Sequence, residues 1–255
     1  MASRRLVNID GDASIVDGLP VLVVGRAQAV IIADVHLGYE SALAATGVFL
    51  PRIQLRSALR HLSEALESVP WRARLIIDGD LKHTFEKLTR QERVEIARLG
   101  RWLSTDSRVK EVIVVRGNHD TFIAPLLRDL GVELVEGCLD LGDGLAVAHG
   151  HQPVNCDFDT LIIGHEHPSL QVDVGGARVK LPVLLDVPLP DSEARVLVLP
   201  AFGAYQTGHA VSLDKEAYLS PIIRERGNVA DAEVWVVDRE AGTMRLGPLK
   251  YVLPV

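Results

Sequence analysis

The sequence predicts an α/β fold built on two packed β-sheets, and three observations carry that reading. β-Branched runs that end in Asp, Gly or His alternate with stretches of helical period through the first half. The second half turns to shorter strands with few helix signals. Polar residues stand just after the C-terminal end of one strand after another, which is where α/β sheets place their ligands.

In chain order, Val30-Ile31-Ile32-Ala33-Asp34 reads as a buried strand ending in a carboxylate. Pro51 is placed to open a helix at its first turn. Leu55, Leu59, Leu62 and Leu66 then recur at i+3 and i+4 spacing, an apolar stripe to lay on the sheet. Leu75-Ile76-Ile77-Asp78 is the second buried strand. Thr89 with Glu92 three residues on predicts a capping box opening a helix through Trp102. Val112-Ile113-Val114-Val115 is the third strand.

Shorter strands follow near Glu133 to Val135, Leu145 to Ala148, Leu161 to Ile163, Arg178 to Leu185 and Arg195 to Leu199. Asp143-Gly144 is a hairpin-turn signal, and Gly175-Gly176 separates two other strands. A second sheet packed against the first accommodates them. Ala201 to Asn228 has no clear period and reads as a long loop with a short helix. A strand pair near Glu233 to Val237 and Tyr251 to Leu253 closes the chain. With no linker, repeat or low-complexity segment, one domain over residues 1–255 is expected.

Hydrophobic residues make up 47% and charged residues 24%, ordinary globular usage that excludes a disordered or fibrous chain. The longest apolar runs, such as Val21 to Val24, fall far short of the roughly 20 residues a membrane helix needs. The start has two arginines but no apolar signal core. Cys138 and Cys156 are the only cysteines, too few for a disulfide framework, so a soluble protein of the reducing cytoplasm is expected. A net charge of −7 excludes a surface that traps nucleic acid indiscriminately. Between Arg52 and Arg116, however, 14 Lys and Arg face 9 Asp and Glu, against 13 and 25 elsewhere. Solvated helix faces account for that excess more simply than a patch for an anionic substrate does.

Five clusters of metal-ligand residue types follow the strands: Asp34-Val35-His36, Gly79-Asp80, Gly117-Asn118-His119-Asp120, His149-Gly150-His151 and Gly164-His165-Glu166-His167. A lone Asp-x-His or Gly-Asp is weak, because polar residues commonly end strands and begin turns. The third cluster is stronger, combining an amide, an imidazole and a carboxylate on one tight turn. In the last, extended backbone would point His165 and His167 to the same side, so that both imidazoles reach one site. Five such clusters in succession outweigh satisfied turn and core histidines. Imidazole, amide and carboxylate together suit Mn²⁺, Fe²⁺, Co²⁺, Ni²⁺ or Zn²⁺ better than Ca²⁺ or Mg²⁺.

The order of these clusters resembles that of the calcineurin-like metallophosphoesterase family, over Asp34 to His167, about half the chain, with no ligand position missing. The resemblance implies a four-layer α/β/β/α sandwich, two mixed β-sheets face to face with helices outside. It also implies two divalent metal ions, Mn²⁺ first among the candidates. One would be held by Asp34, His36, Asp80 and His167, the other by Asp80, Asn118, His149 and His165. Asp80 would bridge them, since only a carboxylate offers two anionic oxygens to two cations. His151 then stands behind the ligands or against substrate. A hydroxide shared by the metals would attack phosphorus, with His119 stabilising the transition state or protonating the leaving oxygen.

In Gly79-Asp80-Leu81-Lys82-His83 the family's commoner second Asp is replaced by His83, a second catalytic candidate. This variant resembles the SbcD-type repair nucleases and the archaeal and ligase-associated phosphoesterases, which implies a phosphodiester substrate such as single-stranded DNA or a nucleotide. A phosphomonoesterase or nucleotide phosphatase is the alternative, and a non-catalytic scaffold of the same fold a third reading. No membrane partner is expected. Family members often form homodimers, but no apolar stripe assigns one here. His61 and His209 lie outside the clusters, and Phe202 and Tyr205 read first as loop anchors and only then as base-stacking rings.

Overall fold

The structure is a computed structural model that describes residues 3–253. The expectations about the chain's start and about one domain fall in part on residues 1–2 and 254–255, outside the described residues. Seven strands form the first sheet in sequence order: β1 (Leu6–Asp10), β2 (Ala13–Val16), β3 (Leu22–Val24), β4 (Ala29–Ala33), β5 (Ala73–Asp78), β6 (Val109–Val115) and β7 (Glu133–Val135). The first four make an antiparallel meander, and β4 to β7 run parallel. The parallel crossovers carry α1 (Tyr39–Ala45), α2 (Gln54–Glu67), α3 (Arg90–Thr105) and α4 (Ala124–Asp129).

The second sheet comprises β8 (Cys138–Gly142), β9 (Leu145–Ala148), β10 (Thr160–Ile163), β11 (Pro168–Val174), β12 (Ala177–Pro188), β13 (Arg195–Val198) and β14 (His209–Ala210). It also includes β15 (Glu233–Asp238) and β16 (Gly242–Pro248). Its order is β14-β11-β12-β13-β10-β9-β8, with β15 on β12 and β16 on β15. Within it β9, β10 and β13 are parallel. Two short helices, α5 (Pro221–Arg226) and α6 (Leu249–Val252), pack on its outer face.

The period of two along each strand sorts the side chains into three cores. Ala29, Ile31 and Ala33 face Val147, Ile162 and Leu197 between the sheets. Val30 and Ile32 point the other way, onto Leu62 and Leu66 of α2 and Leu99 of α3. Leu161 and Ile163 of β10 turn outward onto Ile222, Ile223 and Leu249. Both faces of the central strands are therefore apolar, which is why those strands read as continuous hydrophobic runs. Three cores separate four layers, helices, sheet, sheet and helices, as the resemblance implied.

Most predicted elements stand, and four differ for identifiable reasons. The capping box of α3 is formed, the Thr89 hydroxyl accepting from the Glu92 amide and the Glu92 carboxylate from the Thr89 amide. Pro51 lies three residues before α2 and does not open it. Glu40 Oε1 instead accepts from the Ile53 and Gln54 amides at 3.0 Å each, satisfying that helix end from 13 residues away in sequence. The closing pair is β15 with β16, and Tyr251 lies in α6, because β16 is an exposed edge strand with no apolar alternation. The strands β1, β2, β3, β8 and β14 are not assigned from the sequence, because each is at most five residues long and too short to show a period. Cys138 and Cys156 are bonded to each other, so cysteine usage no longer argues for a reducing compartment. Among the described residues no helix is long and apolar enough to cross a membrane.

Candidate metal centre

Register brings the clusters together. Ala33, Asp78 and Val115 are aligned across β4, β5 and β6, so Asp34, Asp80 and Asn118 leave the first sheet at one end. In the second sheet Val147 is aligned with Ile162, and Ile162 with Leu197, so His149 and His165 leave β9 and β10 at a common end. The segment after β13 ties the two ends, with the Phe202 amide on the Ala33 carbonyl and the Gly203 amide on the Asp34 carbonyl.

The seven predicted ligands converge in two groups. Asp34, His36 and His167 have ligating atoms within 4.8 Å of one another, and so do Asp80, His149 and His165. His167 Nε2 lies 3.0 Å from Asp34 Oδ1, and His36 Nε2 lies 3.8 Å from Asp80 Oδ2. His149 Nε2 lies 3.4 Å from Asp80 Oδ1 and 3.2 Å from Asn118 Oδ1. Asp80 thus stands between the groups with one oxygen toward each. His36 also falls within the same distance of His83 and His119, a third group on the Asp80 Oδ2 side.

Backbone strain is concentrated here. Eight non-glycine residues have positive φ among the described residues, and five of them are Asp34, His36, Asp80, His165 and His167. Each such residue costs on the order of 1–3 kcal/mol and persists only where the surroundings hold it. His165 and His167 are therefore not in extended backbone. The left-handed conformation at both, φ 63° and 44°, aims them at different groups, which alternation alone could not foresee. At Gly117 an added Cβ would collide with the Asp80 amide and carboxylate, and at Gly79 with the His149 ring, so only glycine lets those side chains approach.

The surroundings orient each donor. The His119 and His165 amides donate to Asp80 Oδ1 at 2.9 Å and Asp34 Oδ2 at 3.0 Å. His149 Nδ1 sits 3.1 Å from the Asp78 carbonyl, leaving Nε2 toward Asp80. Asp120, which completes the third cluster, accepts from the Gly117 and Lys82 amides, and burial pushes its carboxyl up to about 6. It closes the turn. Glu166 likewise accepts from the Leu219 amide and anchors the last cluster.

Burial and charge compete across the centre. Burial holds the His36 ring neutral down to about 3 and the His165 ring down to about 4. Burial also disfavours the Asp34 and Asp80 carboxylates, but the neighbouring imidazoles outweigh it and keep both below the ordinary range. Burial opposes a charged His149 as well, yet Asp80 and Asp34 raise it to about 10. His36 Nε2 faces His167 Nε2 at 3.3 Å, and its Nδ1 faces His83 Nδ1 at 3.3 Å. Rings converging nitrogen to nitrogen around two anionic carboxylates have more lone pairs than protons to fill them. That donor set fits two divalent cations.

His119 and His83 flank the Asp80 Oδ2 side. His119 Nδ1 hydrogen-bonds the His83 carbonyl, and its Nε2 lies 3.7 Å from Asp80 Oδ2. His151 stands beside the other group, its ring centroid 5.3 Å from that of His149 and 6.0 Å from that of His165. A cleft of about 320 Å³ opens there, lined by Glu136, His149, His151, Gln152, Asn155 and the Cys138–Cys156 bridge. His61 is packed against Phe202, and His209 is exposed with Nδ1 near the Glu166 carbonyl. Phe202 is buried, and Tyr205 donates to the Pro51 carbonyl while stacking on Tyr39. Both act as loop anchors.

The chain is similar to the crystal structure of Pseudomonas putida nuclease MPE, with 20% identity and a TM-score of 0.66 over 96% of this chain and 100% of that one. The chain has the metallophosphoesterase fold. At 20% identity the likeness carries the architecture and not the activity. A double mutant of Vps29 from Entamoeba histolytica also aligns, at 16% identity and TM-score 0.32 over 85% of this chain and 98% of that one, too low to argue from. No family model matches the sequence. No curated protein matches it.

Proposed function

We propose that this chain is a metal-dependent phosphodiesterase acting on nucleic acid. Asp34, His36, Asp80 and His167 would hold one divalent ion, and Asp80, Asn118, His149 and His165 the other, Mn²⁺ being the first candidate. The observation that carries the reading is the two-sided engagement of Asp80, with His149 at Oδ1 and His36 and His119 at Oδ2. Two cations so held would neutralise phosphoryl oxygens and would make water acidic enough to supply a nucleophile near neutral pH.

The chain's own residues supply the rest. His119, oriented through its Nδ1 contact with the His83 carbonyl, presents Nε2 to protonate the leaving oxygen. His83 holds that orientation and packs against His36, their ring centroids 5.2 Å apart. A diester carries a substituent on each side of phosphorus. The cleft beside His149 and the open face beside His119 give room for both. His83 and the neighbour named as a nuclease also support a diester.

The test is turnover of bis-p-nitrophenyl phosphate, p-nitrophenyl phosphate and short single-stranded DNA by Mn²⁺-loaded protein, with and without chelator. Metal-dependent cleavage of the diester and the DNA is expected. His119→Ala should lower kcat by about 10² to 10⁴ with KM little changed. A strong preference for the monoester would reassign the site as a phosphomonoesterase, and no metal-dependent turnover of any substrate would reject it as an esterase.

A further inference from the structure

Two phenylalanines beside His119 are placed against the usual logic of a folded chain. Phe85 is 49% exposed and Phe122 is 65% exposed. Phe122 also has φ 64°, a left-handed conformation that bulky side chains rarely adopt. A fold that holds an aromatic ring in water on strained backbone incurs two costs, and no packing contact in the core offsets them. Strain of this kind is characteristic of positions kept for a ligand.

The two rings share one rigid base. The Thr121 hydroxyl donates to the Phe85 carbonyl, joining the loop after Lys82 to the loop after His119. The buried Lys82 stitches the same loops, its Nζ donating to the Thr84 carbonyl and, at 3.3 Å, to the Thr121 hydroxyl. Phe85 lies over His119 with ring centroids 3.6 Å apart, and His119 Nε2 is 3.7 Å from Asp80 Oδ2. Phe85 is therefore one imidazole away from the carboxylate at the middle of the metal centre, and Phe122 follows His119 by three residues on the tied loop.

Exposed aromatic rings on two tied loops beside a phosphate-binding centre match a nucleobase, whose π-face stacks on phenylalanine without regard to sequence. Lys87 and Arg90, both exposed, follow Phe85 in the chain by two and five residues and outnumber the exposed Glu86 between them, a net cationic charge of the sign that phosphates attract. Bases in a duplex are already stacked and cannot lie on the shelf. We propose that Phe85 and Phe122 form a stacking shelf for an unpaired base adjoining the scissile phosphate, which makes single-stranded nucleic acid the preferred substrate. This deepens the phosphodiesterase reading and rests on it.

The experiment measures binding as well as cleavage. Anisotropy titrations, in chelator and then in Mn²⁺, would use a fluorescein-labelled oligothymidylate, an oligomer of equal length lacking bases, and the matching duplex. Wild type should bind the oligothymidylate more tightly than either of the others. The advantage over the baseless oligomer should shrink about tenfold or more in Phe85→Ala and in Phe122→Ala, and return in Phe85→Trp. KM for cleavage should follow the same order. Equal binding of the two oligomers by wild type, or an unchanged advantage in both alanine variants, would overturn the shelf. Concentration-dependent doubling of mass that Phe122→Ala abolishes would assign the face to a second copy, and overturn it equally. If wild type binds with the expected preference but cleaves no diester, the phosphodiesterase reading fails while the shelf survives.

Discussion

The two sheets contribute unequal chemistry to one centre. Strands β4, β5 and β6 of the first deliver Asp34, His36, Asp80 and Asn118, which include both carboxylates and the amide. The second sheet delivers His149, His165 and His167, imidazoles only. Each group of ligating atoms nevertheless mixes the two, Asp34 and His36 with His167, and Asp80 with His149 and His165. Neither sheet completes either of these two groups alone, whereas a third group, His36 with His83 and His119, comes from the first sheet only. The centre exists only when the inter-sheet core is packed, so metal affinity and sheet packing should be thermodynamically linked.

The sharpest way to break that comparison is to remove one donor from each side. Asp80→Ala takes away the carboxylate that faces both groups, and a loss of activity on the order of 10³-fold or more with loss of both ions is expected. His149→Ala strips one group only and should leave one ion per chain by elemental analysis. Equal stoichiometry in the two variants would mean that the sheets do not divide the work as described.

Metal removal should weaken the junction between the sheets. Mn²⁺ restored at about 100 times its dissociation constant should add about 2.7 kcal/mol to the stability of the chelated protein. A melting temperature indifferent to metal would separate binding from packing. A similar effect is expected within the second sheet alone. The Cys138–Cys156 bridge ties β8 to the segment that follows His151, across 18 residues. Reduction should cost about 2–4 kcal/mol, read as a shifted urea midpoint.

The smallest effect concerns a tie outside the centre. Glu64 of α2 accepts from Arg4 at 2.7 Å and from Arg239, beyond β15, at 2.6 Å. Burial opposes its charge, but the two guanidiniums outweigh that and hold its carboxyl below the ordinary range. A lowered carboxyl stabilises the fold above its unfolded pKa, about 4.3, and the gain is lost as pH falls through the folded value. Glu64→Gln should cost about 1 kcal/mol or less at neutral pH, and progressively less as pH falls below the unfolded value and through the folded one. A cost that persists in acid would show packing, not charge, to be the cause.

Much of the centre was legible because its residues sit at strand ends, where apolar runs stop abruptly at Asp34, Asp78, Arg116 and His149. What escaped the sequence depends on contacts distant in the chain. Glu40 caps a helix that begins at Gln54, and nothing in the sequence around Cys138 and Cys156 says whether the two are bonded. The left-handed backbone at His165 and His167 is imposed by packing, so alternation misjudges how they reach the centre. Phe85 and Phe122 carried no periodic signal at all, since exposure, the property that marks them, is invisible until the loops are placed.

Anomalous diffraction from crystals grown with Mn²⁺ would show whether side chains from both sheets hold two cations around Asp80. Two peaks are expected, one on each side of the Asp80 carboxylate, the first within coordination distance of Asp34, His36 and His167 and the second of Asn118, His149 and His165. Peaks remote from Asp80, or a fully loaded protein with no ion at either position, would contradict it.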